Sequence, residues 1–340
     1  MGLTVAITGP TGDIGRGLLR RLDKEPEVDR IVGMARRPFD PSASGLEKTG
    51  YHQGDILDKD AVAALVEDAD VLVHLAFNIL GGREETHRIN LEGTRNVFEA
   101  ASSAGLTRFI YTSSVAAYGF HAENPQPLTE EVAPKGTEEF YYSAQKAELE
   151  RELHRMVGRA AEGTAGVETY VFRPSIVAGG DALMLVRAIM EQLQLGGRLP
   201  QITNFLNSVP FLKPVLPDPG TPFQLVHQDD VAQALVAAIT GRGQPGIYNL
   251  AGDGTISFGD LASALGWHSV PVPKAALDAT AELLARVPFA PAELEWINAA
   301  RVPVIMDTQK AREKLGWEPA HDTRQTLVET IEAARAEGLI

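Results

Sequence analysis

Apolar and polar positions along the chain alternate between two rhythms. Short apolar, β-branched runs at 3–8, 30–35, 71–76, 108–112 and 168–173 predict strands. Longer segments of helical period at 14–23, 61–67, 83–104 and 139–158 predict helices between them. The strand runs are continuously apolar, as a sheet covered on both faces requires. Strand–helix–strand repetition implies right-handed crossovers and a parallel, doubly wound α/β sheet. After about residue 175 the rhythm breaks. Residues 182–195 read as helix and 199–222 as a Pro-rich, irregular stretch of the kind that forms a lid or pocket wall. Strand and helix return over 224–239 and 247–250. Asp307 is placed to cap a short helix through Leu315, and 322–337 reads as a last amphipathic helix. The expected division is a first, doubly wound domain over 1–175, with returning segments near 224–250, and a second, mainly separate lobe over 176–340.

The chain has 340 residues, enough for this division around one large core. Its formal net charge is −14 and no basic stripe accompanies it, so a nucleic-acid partner is not expected. It contains no cysteine, which removes disulfides, thiolate catalysis and Cys-based metal sites. The N-terminus enters a strand without a basic leader, and no apolar run reaches the roughly 18 residues of a membrane span. A cytoplasmic location and no membrane partner are the expectation.

Between the first strand and the first helix stands Thr8-Gly9-Pro10-Thr11-Gly12-Asp13-Ile14-Gly15, a G-x-x-G-x-x-G spacing. The first glycine permits a tight turn, the second lets backbone approach a pyrophosphate, and the third lets helix and strand pack closely. The helix N-terminus then turns free N–H groups and a positive dipole end to the anion. This makes the predicted sheet Rossmann-type. The second strand ends Ala35-Arg36-Arg37-Pro38. An acidic residue there would suit the ribose 2′-hydroxyl of NAD; arginines suit a 2′-phosphate. The expected cofactor is therefore NADP(H), with NAD(H) as the alternative.

Further along, Thr112-Ser113-Ser114 ends a strand, and Tyr142-Ser143-Ala144-Gln145-Lys146 gives a Y-x-x-x-K spacing within a helix. Residues i and i+4 share a helix face, so Lys146 pairs with Tyr142, and Tyr141 is offset by about 100°. A nearby cation favours phenolate and lowers an otherwise high tyrosine pKa. A serine hydroxyl can bond a substrate oxygen.

In this order, these motifs resemble the extended short-chain dehydrogenase/reductase superfamily, in its epimerase/dehydratase-like branch. The resemblance covers nearly the whole chain. "GDILD" supplies Asp55 and Ile56, similar to the family's adenine-side pair, and "HLAFN" supplies Leu75, Ala76 and Phe77 along the cofactor. "NLEGTRNV" begins with Asn90, and "FRPSIVAGG" places Pro174, Ser175 and Ile176 on the nicotinamide side. Thr112 joins the expected cofactor-binding residues. The resemblance implies hydride transfer with Tyr142 as general acid or base, Lys146 on the nicotinamide ribose and Ser114 orienting the carbonyl or alcohol. It also implies a homodimer through the helices at 83–104 and 139–158.

Other residues carry blander expectations. His74 reads as a core histidine, and His227 with Asp229 and Asp230 as structural, joining the lobes. His121 and Glu123 form an H-x-E pair, but the cysteines of a zinc deaminase are absent. Neither H-E-x-x-H nor G-x-S-x-G occurs, and no metal site is expected. Glu130 and Glu131 read as a solvated loop, and Phe205, Phe211, Leu212 and Phe223 as core or pocket wall. Nucleotide-sugar members of the family carry an Asn shortly after the arginine of the sixth strand and an Arg before the V-H-x-x-D segment. Here Ser175 and Ile176 follow Arg173-Pro174, and no Arg precedes His227 over 219–226. Residues 199–217 hold Lys213 as their one cation, with Arg198 just upstream. An apolar carbonyl or alcohol substrate is the first expectation. A nucleotide-sugar 4-epimerase is the second. A dehydratase ranks lower, because "SSVAAYG" has no acid, and a dinucleotide-sensing regulator has no need of an activated phenol.

Overall fold

The structure of the protein is a computed structural model. It describes residues 2–78, 83–138, 140–161, 166–195, 214–273 and 302–340. In chain order its strands are β1 (Leu3–Thr8), β2 (Val28–Ala35), β3 (Thr49–Gln53), β4 (Val71–His74), β5 (Arg108–Thr112), β6 (Glu168–Pro174), β7 (Ile176–Ala178), β8 (Val215–Asp218), β9 (Leu225–His227), β10 (Gly246–Leu250) and β11 (His268–Pro271). The helices are α1 (Asp13–Leu22), α2 (Lys59–Val66), α3 (Arg83–Ser103), α4 (Tyr141–Ala161), α5 (Met184–Leu195), α6 (Gln228–Ile239), α7 (Phe258–Leu265), α8 (Gln309–Leu315) and α9 (Thr323–Ala336).

Seven strands form one parallel sheet in the order β10-β6-β5-β4-β1-β2-β3. The order reverses between β1 and β4, so a crevice opens beyond their C-terminal ends. Strand pleating sorts the core. Val5, Ile7, Val71, Val73, Ile110 and Phe172 face one side and pack on α1, α6 and Trp317. Ala6, Leu72, Phe109, Tyr111 and Val171 face the other and pack on α2, α3 and α4. Both layers are buried and apolar, which explains why these strands read as unbroken apolar runs.

Where the structure departs from the sequence reading, local chemistry explains it. The strand expected over 71–76 stops at His74, because Leu75 N and Ala76 N turn to Thr8 O (3.1 Å) and Thr8 Oγ1 (3.3 Å). β3 has no apolar run to betray it; it is a largely exposed edge strand, TGYHQ. The helix expected from 139 starts at Tyr141, and that expected from 182 starts at Met184. Asp307 Oδ1 accepts from Gln309 N at 2.7 Å, so it secures the start of α8 although Thr308 is the formal cap. Past β6, two small parallel pairs form, β7 with β9 and β8 with β11. Most of the irregular stretch over 199–222, including Phe205, Phe211, Leu212 and Lys213, lies outside the described residues, as does Arg198. Phe223 is described; it packs in the cluster with α7 and α9, its ring 5.2 Å from Phe258.

Candidate active site

The crevice beyond β1 and β4 holds the glycine turn. Gly9 has φ 73°, a left-handed conformation, and a Cβ there would lie 2.8 Å from Ala76 N. At Gly15 a Cβ would meet Pro10 O at 2.5 Å, so this glycine lets α1 close on the turn. Gly12, the N-cap of α1, provides no side-chain cap, and a Cβ on it would meet nothing nearer than Gly9 O at 3.5 Å. The first N–H groups of α1 therefore have no side-chain cap, as an anion-binding helix start requires. Asp13 turns its carboxyl away, toward Met184 N and Arg187 at the start of α5; burial raises its pKa more than these partners lower it. Thr11 and Ile14 complete the turn.

The other expected cofactor residues sit on several elements of the sheet and its helices. Arg36 and Arg37 are exposed past β2, their carbonyls held by Gln53 Nε2 (2.9 Å) and by the Tyr51 hydroxyl. Asp55 Oδ1 accepts from Leu57 N at 3.0 Å, and Ile56 is buried against Gly93. Asn96, which sequence reasoning missed, clamps this turn by donating to Ile56 O at 3.0 Å and Leu57 O at 3.3 Å. Asn90 sits behind the crevice. Its amide is occupied by Asn78 N, Asn78 O and Gln145 Oε1, all within 2.9 Å, so it braces the chain after β4 and ties α3 to α4. Thr112 and Ser175 are buried, and the Oγ1 of one and the Oγ of the other have no partner among the described residues. Orphaned hydroxyls at the strand ends, with the open cap at Gly12, fit a bound dinucleotide. Pro174 and Ile176 flank Ser175 on β6 and β7.

Ser114, Tyr142 and Lys146 meet at the ends of β5 and α4. The Ser114 hydroxyl accepts from Ala116 N at 3.2 Å and hydrogen-bonds the Tyr142 phenol. Lys146 Nζ donates to Thr112 O at 3.0 Å and contacts the Tyr111 hydroxyl at 3.5 Å. The Phe77 ring covers the ammonium at 3.8 Å and stands edge-on to Tyr142 at 5.5 Å. Phe140 lies 5.8 Å from Tyr142, and Phe120 the same distance from Phe140. This apolar wall shapes the electrostatics. Burial pushes the Tyr142 pKa up, and the Ser114 bond pulls it back in part. The lowering expected from Lys146 is not found: burial against the aromatic wall, which strips water from the phenolate, sets the direction, and the Ser114 bond is what opposes it. Burial likewise lowers the Lys146 pKa to about 7, against the pull of Glu150 upward. Tyr141 is buried one position round the helix.

His74 is a core residue, held by Thr8 Oγ1 at 2.6 Å and Thr94 Oγ1 at 3.0 Å, and burial drops its pKa to about 3. His227, Asp230 and His321 cluster within reach of a common ion. Several of their atoms are already engaged. His227 Nδ1 accepts from Asp229 N at 3.2 Å, and its Nε2 lies 3.2 Å from a Glu329 oxygen without a hydrogen bond to it. Asp230 accepts from Ala320 N, His321 N and His321 Nδ1. The cluster binds α6 to the segment before α9. Glu130 also differs from the solvated loop expected: it accepts from Asn249 N at 2.8 Å, and burial raises its pKa. His121 Nε2 bonds Gly136 O at 2.6 Å.

The sheet order and the glycine turn at its switch point define a doubly wound α/β protein of the dinucleotide-binding type. The chain belongs to the NAD dependent epimerase/dehydratase family, whose model matches residues 5–251. A 3 beta-hydroxysteroid dehydrogenase/Delta 5-->4-isomerase of Mycobacterium tuberculosis is 30% identical over 207 residues, which cover 56% of this chain and 52% of that protein. The match therefore spans about half of each. The crystal structure of gox2253 is 25% identical, with TM-score 0.73 and 99% of each chain covered. UDP-glucuronic acid 4-epimerase from Bacillus cereus, solved in complex with NAD, has TM-score 0.71 at 18% identity, covering 98% of this chain and 99% of that one. Among the described residues no helix is long and apolar enough to cross a membrane.

Proposed function

We propose that the chain is an NAD(P)-dependent oxidoreductase acting on a carbonyl or alcohol of an apolar small molecule. The observation that carries this is the meeting of Ser114, Tyr142 and Lys146 beside the glycine turn, inside an aromatic wall. Gly9, Gly12 and Gly15 would hold the pyrophosphate, with Leu75, Ala76, Thr112 and Ser175 along the rest of the cofactor. When bound, the nicotinamide supplies or takes the hydride. The protein's own residues do the rest. Tyr142 gives a proton to the carbonyl oxygen in reduction and takes one from the alcohol in oxidation. Ser114 bonds the same oxygen and orients it. Lys146 holds the ribose as an ammonium and counters the developing phenolate charge. Phe77, Phe120 and Phe140 exclude water and favour an apolar substrate face.

Arg36 and Arg37 support a preference for NADP(H): both are exposed at the end of β2, where a 2′-phosphate would lie. In this reading residues 1–175, with 224–250, bind the cofactor, and most of 176–340 shapes the substrate side. Two chains pair through α3 and α4 as a homodimer, checked by sedimentation. The named activity of the mycobacterial relative supports an apolar substrate. A nucleotide-sugar 4-epimerase is the second reading, favoured by the whole-chain likeness to the Bacillus cereus epimerase. Ser175 and Ile176, and the lack of an arginine over 219–226, weigh against it. A panel of ketones, alcohols and UDP-sugars, each with NADPH and NADH, decides between them. Saturable conversion of a UDP-sugar with no turnover of simple ketones would refute the first reading.

A further inference from the structure

Two turns beyond Tyr142 and one beyond Lys146, on the same face of α4, lies Glu150. It is buried, and so are its partners. Its Oε1 accepts from Ser113 Oγ at 2.5 Å and from Arg173 Nε at 3.0 Å, and its Oε2 from Arg173 Nη2 at 2.5 Å. Arg173 is wholly inaccessible; it also donates to Val132 O at 3.3 Å and stacks 4.4 Å over the Tyr118 ring. A buried pair of this kind is no net gain over apolar residues of equal volume, so its presence under the site asks for another reason. Geometry supplies one. Ser113 stands between Thr112, whose carbonyl takes the Lys146 hydrogen bond, and Ser114, which bonds Tyr142. Glu150 thus grips the strand end that carries both.

We propose that Glu150 is a positioning residue for Lys146 and Ser114: its carboxylate is the counter-charge that keeps the lysine an ammonium, its bond to Ser113 fixes the strand end, and Arg173 sets how much of that charge the lysine feels. The proposal rests on the reading of Lys146 as a cofactor-holding ammonium. Around Lys146 stand Glu150, one turn on along α4, Tyr111 from β5, whose hydroxyl lies 3.5 Å away, and His74 from β4, whose pKa burial and the lysine charge both lower; Tyr142 lies one turn before it on α4, and Arg173 from β6 reaches it through Glu150. Burial keeps Tyr111 protonated and His74 neutral. Among these groups Glu150 is the anion, and it is the one whose charge raises the Lys146 pKa.

The test follows the Lys146 side chain directly, by carbon NMR of protein labelled at lysine Cε, with the Lys146 signal assigned by its loss in Lys146→Met. Glu150→Gln should move its titration midpoint down by about one pH unit, and Arg173→Gln should move it up by a similar amount. A purely structural role would shift neither in this opposed way. Midpoints that stay put, or move together, overturn the proposal. Thermal melts check that each variant is folded. Where either single variant is unfolded, Glu150→Gln/Arg173→Met removes both halves of the buried pair together, so neither Glu150 nor Arg173 is left facing a missing partner. Its midpoint must lie below that of the wild type, and one at or above it is equally fatal. NADPH binding by fluorescence is read in parallel at pH 7.5, where Glu150→Gln should weaken it about tenfold. A shifted midpoint with unchanged NADPH affinity would refute the ribose role of Lys146 and leave the role of Glu150 intact.

Discussion

Lys146→Met should make the protein more stable while disabling it. The lysine is fully enclosed, and burial drops its pKa from the ordinary 10.5 to about 7. At 1.36 kcal/mol per unit, the fold pays about 5 kcal/mol to hold the ammonium at acid pH. Methionine of similar length removes that penalty. It also strands Thr112 O, which loses its 3.0 Å partner, at about 1–3 kcal/mol. The net gain at pH 6 is about 2–4 kcal/mol. At roughly 1.5 °C per kcal/mol for a chain this long, the melting temperature should rise by about 3–6 °C. The pH dependence carries the sharper check. Between about pH 7 and 10.5 the unfolded chain binds the lysine proton and the folded chain does not, so wild-type stability climbs with pH through that window. The variant cannot climb in this way, and its advantage should vanish by about pH 10. Scanning calorimetry of both proteins without cofactor at pH 6 and pH 9.5 measures this. A variant melting at or below the wild type at pH 6, by the same margin as at pH 9.5, would refute the desolvation account of Lys146.

Other outcomes follow from single contacts. Tyr142→Phe should lower turnover by about 10²–10⁴ and leave NADPH affinity within a few fold, read by steady-state kinetics and fluorescence titration. Arg36→Ala should weaken NADPH by about tenfold and NADH hardly at all; equal losses for both would show that no 2′-phosphate meets the arginine. Gly15→Ala forces a methyl to 2.5 Å from Pro10 O, so urea unfolding should show a loss of about 1–3 kcal/mol together with weakened binding of either dinucleotide.

Much of the fold was legible because the signals are local. β1, the glycine turn and α1 lie within 22 residues, and the strands covered on both faces announce themselves by unbroken apolar runs. β3 escaped because an edge strand exposed to water needs no apolar run. β7, β8 and β11 escaped because three or four residues carry too little pattern. Ser114, Tyr142 and Lys146 were legible through helix spacing and motif order. Their electrostatics were not, since these depend on which rings close over them, and Phe77 lies 65 positions before Tyr142 in the chain. The Glu150–Arg173 pair and the stacked rings of His227 and His321, 3.9 Å apart, are likewise encounters between distant segments. Asn90 illustrates a subtler limit: the motif singled it out, but only the structure shows that its amide is spent on Asn78 and Gln145.

The outermost strand of the sheet on the β6 side bears on how the chain is made. β10 adds to β6 only after residue 250 exists, and its Asn249 holds the Tyr118 hydroxyl at 2.7 Å, Leu128 O at 3.0 Å and Asp307 O at 3.1 Å. Tyr118 in turn backs Arg173. On a ribosome the first six strands of the large sheet can pair as they emerge, but the floor beneath Ser114 and Lys146 stays open while the next 76 residues are added. At about 5–20 residues per second that wait is about 4–15 s. Through that interval a nascent chain carries a formed glycine turn and an unfinished active-site floor. Early release or a stall before residue 250 would therefore leave the floor beneath Ser114 and Lys146 without Asn249.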